Sequence, residues 1–326
     1  MFISGLIWHH LYTPNGIDVG FVAKWLSYCG HVCVSGFTVL AGVGAAAVIR
    51  KYRSTIRFEL HRLRKIYSGY WCWLIFLILF SLCRGLSLPH AIFPEDPWLH
   101  TFANFAGILP YYTGNCIPSS CTIGTDWFIS MIILCYLSVL LVRPLIEKHT
   151  ISTLTFLLVL LIVSSTSTLP ILRYTAYLFP FYAGYVLYDK KILTLLPNRL
   201  FTPAFSTLCA LIALLLLTFK PVCCKLGIYA IGSHLFIATD TLAALLLIIC
   251  AAALQHTAAG RSLQVLGQYS MGIYLIHAYF ITQFSTLAYW SGYSIPDFIT
   301  VMGFCFVISR TAEQGAHRLA ECLRFR

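Results

Sequence analysis

Long apolar runs separated by short polar intervals set the pattern of this chain. A membrane-crossing helix needs about 20 apolar residues. Runs that read as such helices fall at 21–49, 66–82, 127–142, 151–169, 174–188, 201–219, 235–254, 266–284 and 298–309. An earlier run, 1–11, is too short to span. It reads as a first helix that either starts before Met1 or is tilted and incomplete here. It ends in His9 and His10, followed by the turn residues Thr13, Pro14, Asn15 and Gly16. Ten spans result, and no internal repeat or linker interrupts them. The expected fold is therefore all-α, a polytopic transmembrane bundle of about ten helices, with residues 1–326 forming one membrane domain.

Composition strengthens this picture. Hydrophobic residues make up 59% of the chain and charged residues 10%, more apolar surface than a soluble core can bury. The formal charge of +11 is not a nucleic-acid signal, because the basic residues sit at the ends of apolar runs without interleaved aromatics. Most of the 13 cysteines lie inside apolar runs and read as small buried hydrophobes. Cys116 and Cys121 share a long polar interval, where a disulfide is feasible in an oxidising compartment. Neither a CxxC pair nor HExxH occurs, so no metal site is expected.

Charge also sets the orientation. Seven of the 22 Lys and Arg residues fall at 50–65: Arg50, Lys51, Arg53, Arg57, Arg62, Arg64 and Lys65. Basic residues beside membrane crossings resist translocation, so this stretch reads as a cytoplasmic loop. With both termini cytoplasmic, 17 of the 22 basic residues fall inside and five outside. A cytosolic basic cluster beside a membrane is also a docking place for a phosphate-bearing donor.

Ionisable groups within a membrane are costly, so each is a candidate for function. The two of interest are His10 and His277, which the assigned orientations place at similar depth. A neutral imidazole takes a proton from a hydroxyl and so suits acyl transfer to an alcohol. For His277 the more ordinary reading is a hydrogen-bonded structural histidine. Neighbours on a helix point about 100° apart, so only one of His9 and His10 faces a given cavity. No GxSxG elbow is present, because GQYSMG at 267–272 has the wrong spacing.

Five segments resemble motifs of the integral-membrane acyltransferase 3 family. WHH at 8–10 resembles the end of its first helix, and FELHRLRKIYSGYW at 58–71 its basic motif, with Arg62 and Lys65 on the arginine pair and Ser68 where a proline is usual. DWFISMIILCYL at 126–137 and LFPFYAGYVL at 178–187 resemble two further helices. LGQYSMGIYLIH at 266–277 resembles the L-G-x-x-S-x-x-I-Y-L-x-H signature. The family's basic residue eleven positions before the histidine would fall two residues before Met1. Its Ser-Gly pair aligns either on Ser35 and Gly36 or, with Phe37 ahead, on Ala41 and Gly42.

The resemblance implies an enzyme moving an acyl group, acetyl in the simplest case, from cytosolic acyl-CoA to a hydroxyl of an extracytoplasmic glycan or glycolipid. It implies His10 as the catalytic residue and Arg62, Arg64 and Lys65 as donor-binding residues. Trp127, Ser130 and His277 remain candidates for acceptor contact or for structure. Acetyl-CoA would be a co-substrate, with no tightly bound cofactor, in a multi-pass protein of the cell membrane. The rival expectation is a transporter, or a lipid- or polysaccharide-handling homologue without chemistry. Transporters with paired Gly/Pro-broken halves offer the contrast, and no such pairing is found here.

Overall fold

The computed structural model describes residues 1–12, 25–26, 30–85, 102–103, 105–108, 127–165, 167, 169–192, 203–227, 235–254 and 257–324. Cys116 and Cys121 lie outside the described residues. Fourteen helices account for the described secondary structure: α1 (Phe2–Tyr12), α2 (Gly30–Ile49), α3 (Thr55–Cys83), α4 (Trp127–Leu137), α5 (Val139–Lys148), α6 (Thr150–Ser165), α7 (Pro170–Thr175), α8 (Leu178–Asp189), α9 (Pro203–Lys225), α10 (Phe236–Ala253), α11 (Ala258–Gln268), α12 (Ser270–Gln283), α13 (Ser285–Ala288) and α14 (Ser294–Arg324). Among them α2, α3, α9 and α14 are long and apolar enough to cross a membrane. A fifth span results if α4 and α5, bent by 53°, count as one. The protein is an all-helical integral membrane protein.

Four elements differ from the sequence reading. The basic stretch 50–65 is not a loop for most of its length, because α3 already begins at Thr55. Ser54 caps it, its Oγ accepting from the amide of Arg57 at 3.3 Å, and no proline or glycine follows until Gly69. The run 127–142 breaks at Ser138, whose hydroxyl donates to Cys135 O at 2.7 Å and lies 2.9 Å from the Tyr182 hydroxyl. The run 174–188 divides between α7 and α8, and 266–284 divides at Tyr269 between α11 and α12. Ser309 on α14 satisfies that second break, donating to Tyr269 O at 3.1 Å.

The described residues group into two compact units. The first joins both parts of the chain, Met1–Gly30 with Leu254–Arg326, and the second is His31–Ala253. In the second unit, Tyr177, Phe181, Tyr182 and Tyr185 on and beside α8 are fully buried. The small-residue run on α2 packs against them. A Cβ at Gly42 would lie 1.8 Å from Phe181 O, and one at Gly184 would lie 2.0 Å from Val39 O, so two backbones meet where any side chain would separate them. Gly44, by contrast, has open space around its missing Cβ. Gly42→Ala and Gly184→Ala are therefore each expected to cost about 1–3 kcal/mol, read as a lower unfolding temperature in detergent, with Gly44→Ala near the parental value.

The same unit holds a buried ion pair. Lys220 Nζ lies 3.4 Å from Asp240 Oδ2, with the side chains 5% and 6% exposed, and sits 5.2 Å from the centre of the Phe236 ring. Each charge is tolerable there only because the other is present. Elsewhere Arg50, just after α2, pairs at 2.7 Å with Asp189 at the end of α8. Large apolar side chains such as Leu141, Ile151, Leu208 and Leu215 point outward, a surface suited to hydrocarbon rather than water.

Candidate active site

The first unit is built so that α1 has one fixed position. Its buried face carries Phe2, Ile3, Leu6, Ile7 and Leu11. At its end the Tyr12 hydroxyl donates to Ser294 O at 2.5 Å, and the Tyr289 hydroxyl donates to Leu11 O at 2.8 Å. Trp8 packs on Phe298, with ring centres 5.3 Å apart. These contacts tie a short helix to α14 and to Tyr289 just after α13, and with it the two histidines on its last turn.

His10 and His277 meet. His277 Nε2 lies 3.0 Å from His10 Nδ1, and His277 Nδ1 lies 2.5 Å from the carbonyl oxygen of Tyr274, one turn back on α12. A carbonyl can only accept, so His277 carries its proton on Nδ1. Its Nε2 in the neutral ring is then an acceptor, which requires His10 to donate from Nδ1. Within the neutral pair, His10 Nε2 is left as the nitrogen with a lone pair. His277 is fully buried and His10 partly exposed, so the inner ring sets the tautomer while the outer ring presents the base. A pair in this arrangement can act chemically as a base and its orienter toward a hydroxyl, with a histidine as orienter.

His9 points elsewhere. A Cβ added at Gly30 would lie 2.2 Å from the His9 ring, so the imidazole rests on the bare glycine backbone.

In the second unit, the three basic residues of α3 are not equivalent. Arg64 and Lys65 are exposed. Arg62 is half-buried: its Nη2 donates to Gly44 O at 2.9 Å, and its guanidinium lies 5.6 Å and 5.7 Å from the centres of the Phe58 and Tyr136 rings. Ser130 is fully buried and its hydroxyl donates to Gly107 O at 2.5 Å. Trp127, partly exposed, stacks on Tyr174 and tilts against Tyr177. Among the described residues no group of three or more His, Cys, Asp or Glu is placed to hold a metal ion.

Two things escaped the sequence reading. The first is that His10 and His277 form one unit, since nothing in either motif says which faces of α1 and α12 meet. The second is Glu59, which sits among basic residues and reads as a solvated charge, yet is 3% exposed.

No curated protein sequence and no solved structure matches the chain. A family model described as an acyltransferase domain matches residues 1–310, which include the histidine pair, the basic segment of α3 and every quoted motif. The chain thus belongs to the acyltransferase 3 family of membrane acyltransferases.

Proposed function

We propose that the protein moves an acyl group, acetyl in the simplest case, from a cytosolic coenzyme A thioester to a hydroxyl of an extracytoplasmic glycan or glycolipid. The observation that carries this is the His10–His277 pair, in which a buried ring fixes the tautomer of a more exposed one. His10 Nε2 takes the hydroxyl proton as the oxygen attacks the thioester carbonyl. The tetrahedral adduct collapses, the carbon–sulfur bond breaks, and the thiolate leaves with the proton returned by the imidazolium. The products are an ester and coenzyme A. During the step, the His10 imidazolium keeps its Nδ1–H on His277, so the developing charge retains a hydrogen-bond partner.

A thioester is already activated, so the protein needs mainly to align the reactants and move one proton. Exposed Arg64 and Lys65 suit the donor's phosphates, which they meet as charged donors. Trp127, with its partly exposed indole backed by Tyr174, suits stacking against a sugar ring of the acceptor.

Vesicles containing the chain, given acetyl-CoA with a labelled acetyl group, are expected to accumulate label in an ester released by mild alkali. Absence of transfer from every acyl-CoA tried, together with movement of a solute down its gradient, would replace this reading with a transporter.

A further inference from the structure

On α3, one turn from the exposed cations, two buried polar groups have no hydrogen-bond partner among the described residues. Neither carboxylate oxygen of Glu59 has a hydrogen-bond partner, and neither does Nε of Arg62. Glu59 is 3% exposed, so water does not cover it. A buried carboxylate without a partner is expensive, and an N–H left unsatisfied beside it adds to the cost. Residues three apart on a helix are neighbours on one face. The walls here are aromatic: the guanidinium lies over Phe58 and Tyr136, and the nearby Tyr182 hydroxyl is committed to Ser138.

The ligand chemistry follows from what is left over. With Nη2 donating to Gly44 O, the buried Arg62 N–H left without a partner among the described residues is that of Nε alone, one donor rather than the fork that grips a phosphate. The adjacent carboxylate would also repel an anion. What fits is a neutral group with one acceptor and one donor, and a secondary amide carries both, pointing opposite ways across its bond. We propose that Glu59 and the Arg62 Nε–H bind a secondary amide, that of the pantetheine arm of the coenzyme A donor. This rests on the acyl-CoA reading above. The arm is favoured over an acetamido group of an amino sugar because the pair shares α3 with Arg64 and Lys65, the cations assigned to the donor's phosphates.

The test couples a change in the protein to a change in the ligand, using the full chain in vesicles. Acetyl-CoA is compared with acetyl-CoA methylated at both pantetheine amide nitrogens. For the parental protein, methylation is expected to raise the donor KM by about 10- to 100-fold, the range for a hydrogen bond to a charged group. Glu59→Ala is expected to raise KM for acetyl-CoA by a similar factor and then to be almost indifferent to methylation. Glu59→Gln, which has the same shape and keeps one acceptor oxygen, should recover most of the affinity and separates binding from folding. If the losses from Glu59→Ala and from methylation multiply, Glu59 does not touch the amide and the inference falls while the acyltransferase reading stands. A rise confined to the acceptor KM assigns the site to the acceptor and overturns the donor assignment. Should the parental protein transfer nothing from acetyl-CoA, both fall together.

Discussion

Replacing His10 with alanine is expected to lower acyl transfer by about 10²- to 10⁴-fold at pH 7, the range for loss of a positioned general base. Protein abundance and detergent elution volume should stay at parental values. The reason lies in where the ring sits: partly exposed at the end of α1, 3.0 Å from a buried partner that puts the lone pair of the neutral ring on Nε2. The buried face of α1 does not depend on it, because Phe2, Ile3, Leu6, Ile7 and Leu11 provide that packing. His9→Ala is the internal control. It removes a ring that rests on Gly30, so it should cost much less than His10→Ala. Parental rates from His10→Ala would end the assignment, and a reversed ranking would move the role to His9.

The second large effect comes from a residue that need not touch either substrate. His277→Ala is expected to lower the rate constant at saturation by about 10²-fold, with the KM for donor little changed. The base is still present, but nothing requires its proton to sit on Nδ1, and a base held in the wrong tautomer loses much of its effect. The buried Tyr274 carbonyl also loses a donor. His277→Gln discriminates a positioning role from simple packing. Its amide oxygen accepts from His10 Nδ1–H as the imidazole does, so it should recover a large part of the rate, whereas His277→Leu, of similar bulk, should not. Equal losses in the Gln and Leu variants would reduce His277 to a packing residue. Nitrogen-15 spectra of labelled histidine give an independent readout: one His10 tautomer in the parental protein, and a mixture in His277→Ala.

What could be read from the sequence differs from element to element for physical reasons. Apolar runs show that helices form, because chain in hydrocarbon must satisfy its own backbone. They do not show where a helix breaks. The bend at Ser138 falls inside an unbroken apolar run, and only the meeting of Ser138 with Cys135 O and the Tyr182 hydroxyl reveals it. The start of α3 was legible in principle, since Ser54 stands ahead of a helix-forming stretch, but the density of positive charge suggested a loop. His10 and His277 each stood out as ionisable residues in apolar surroundings. Their pairing depends on the rotation of α1 about its axis, which the contacts of Tyr12 and Tyr289 set from far along the chain. Glu59 was hidden by its neighbours, because its local sequence is that of a solvated helix and only burial separates it from them.

The first unit joins Met1–Gly30 to Leu254–Arg326, helices made far apart in time. His277 leaves the ribosome 267 positions after His10. At about 5–20 residues per second, the nascent chain spends roughly ten seconds to a minute with the base made and its orienting ring still untranslated. Everything from His31 to Ala253 emerges in that interval. Any product that stops short of α12 thus carries His10 without the ring that sets its tautomer, so on the proposed mechanism the reaction waits until α12 has been made.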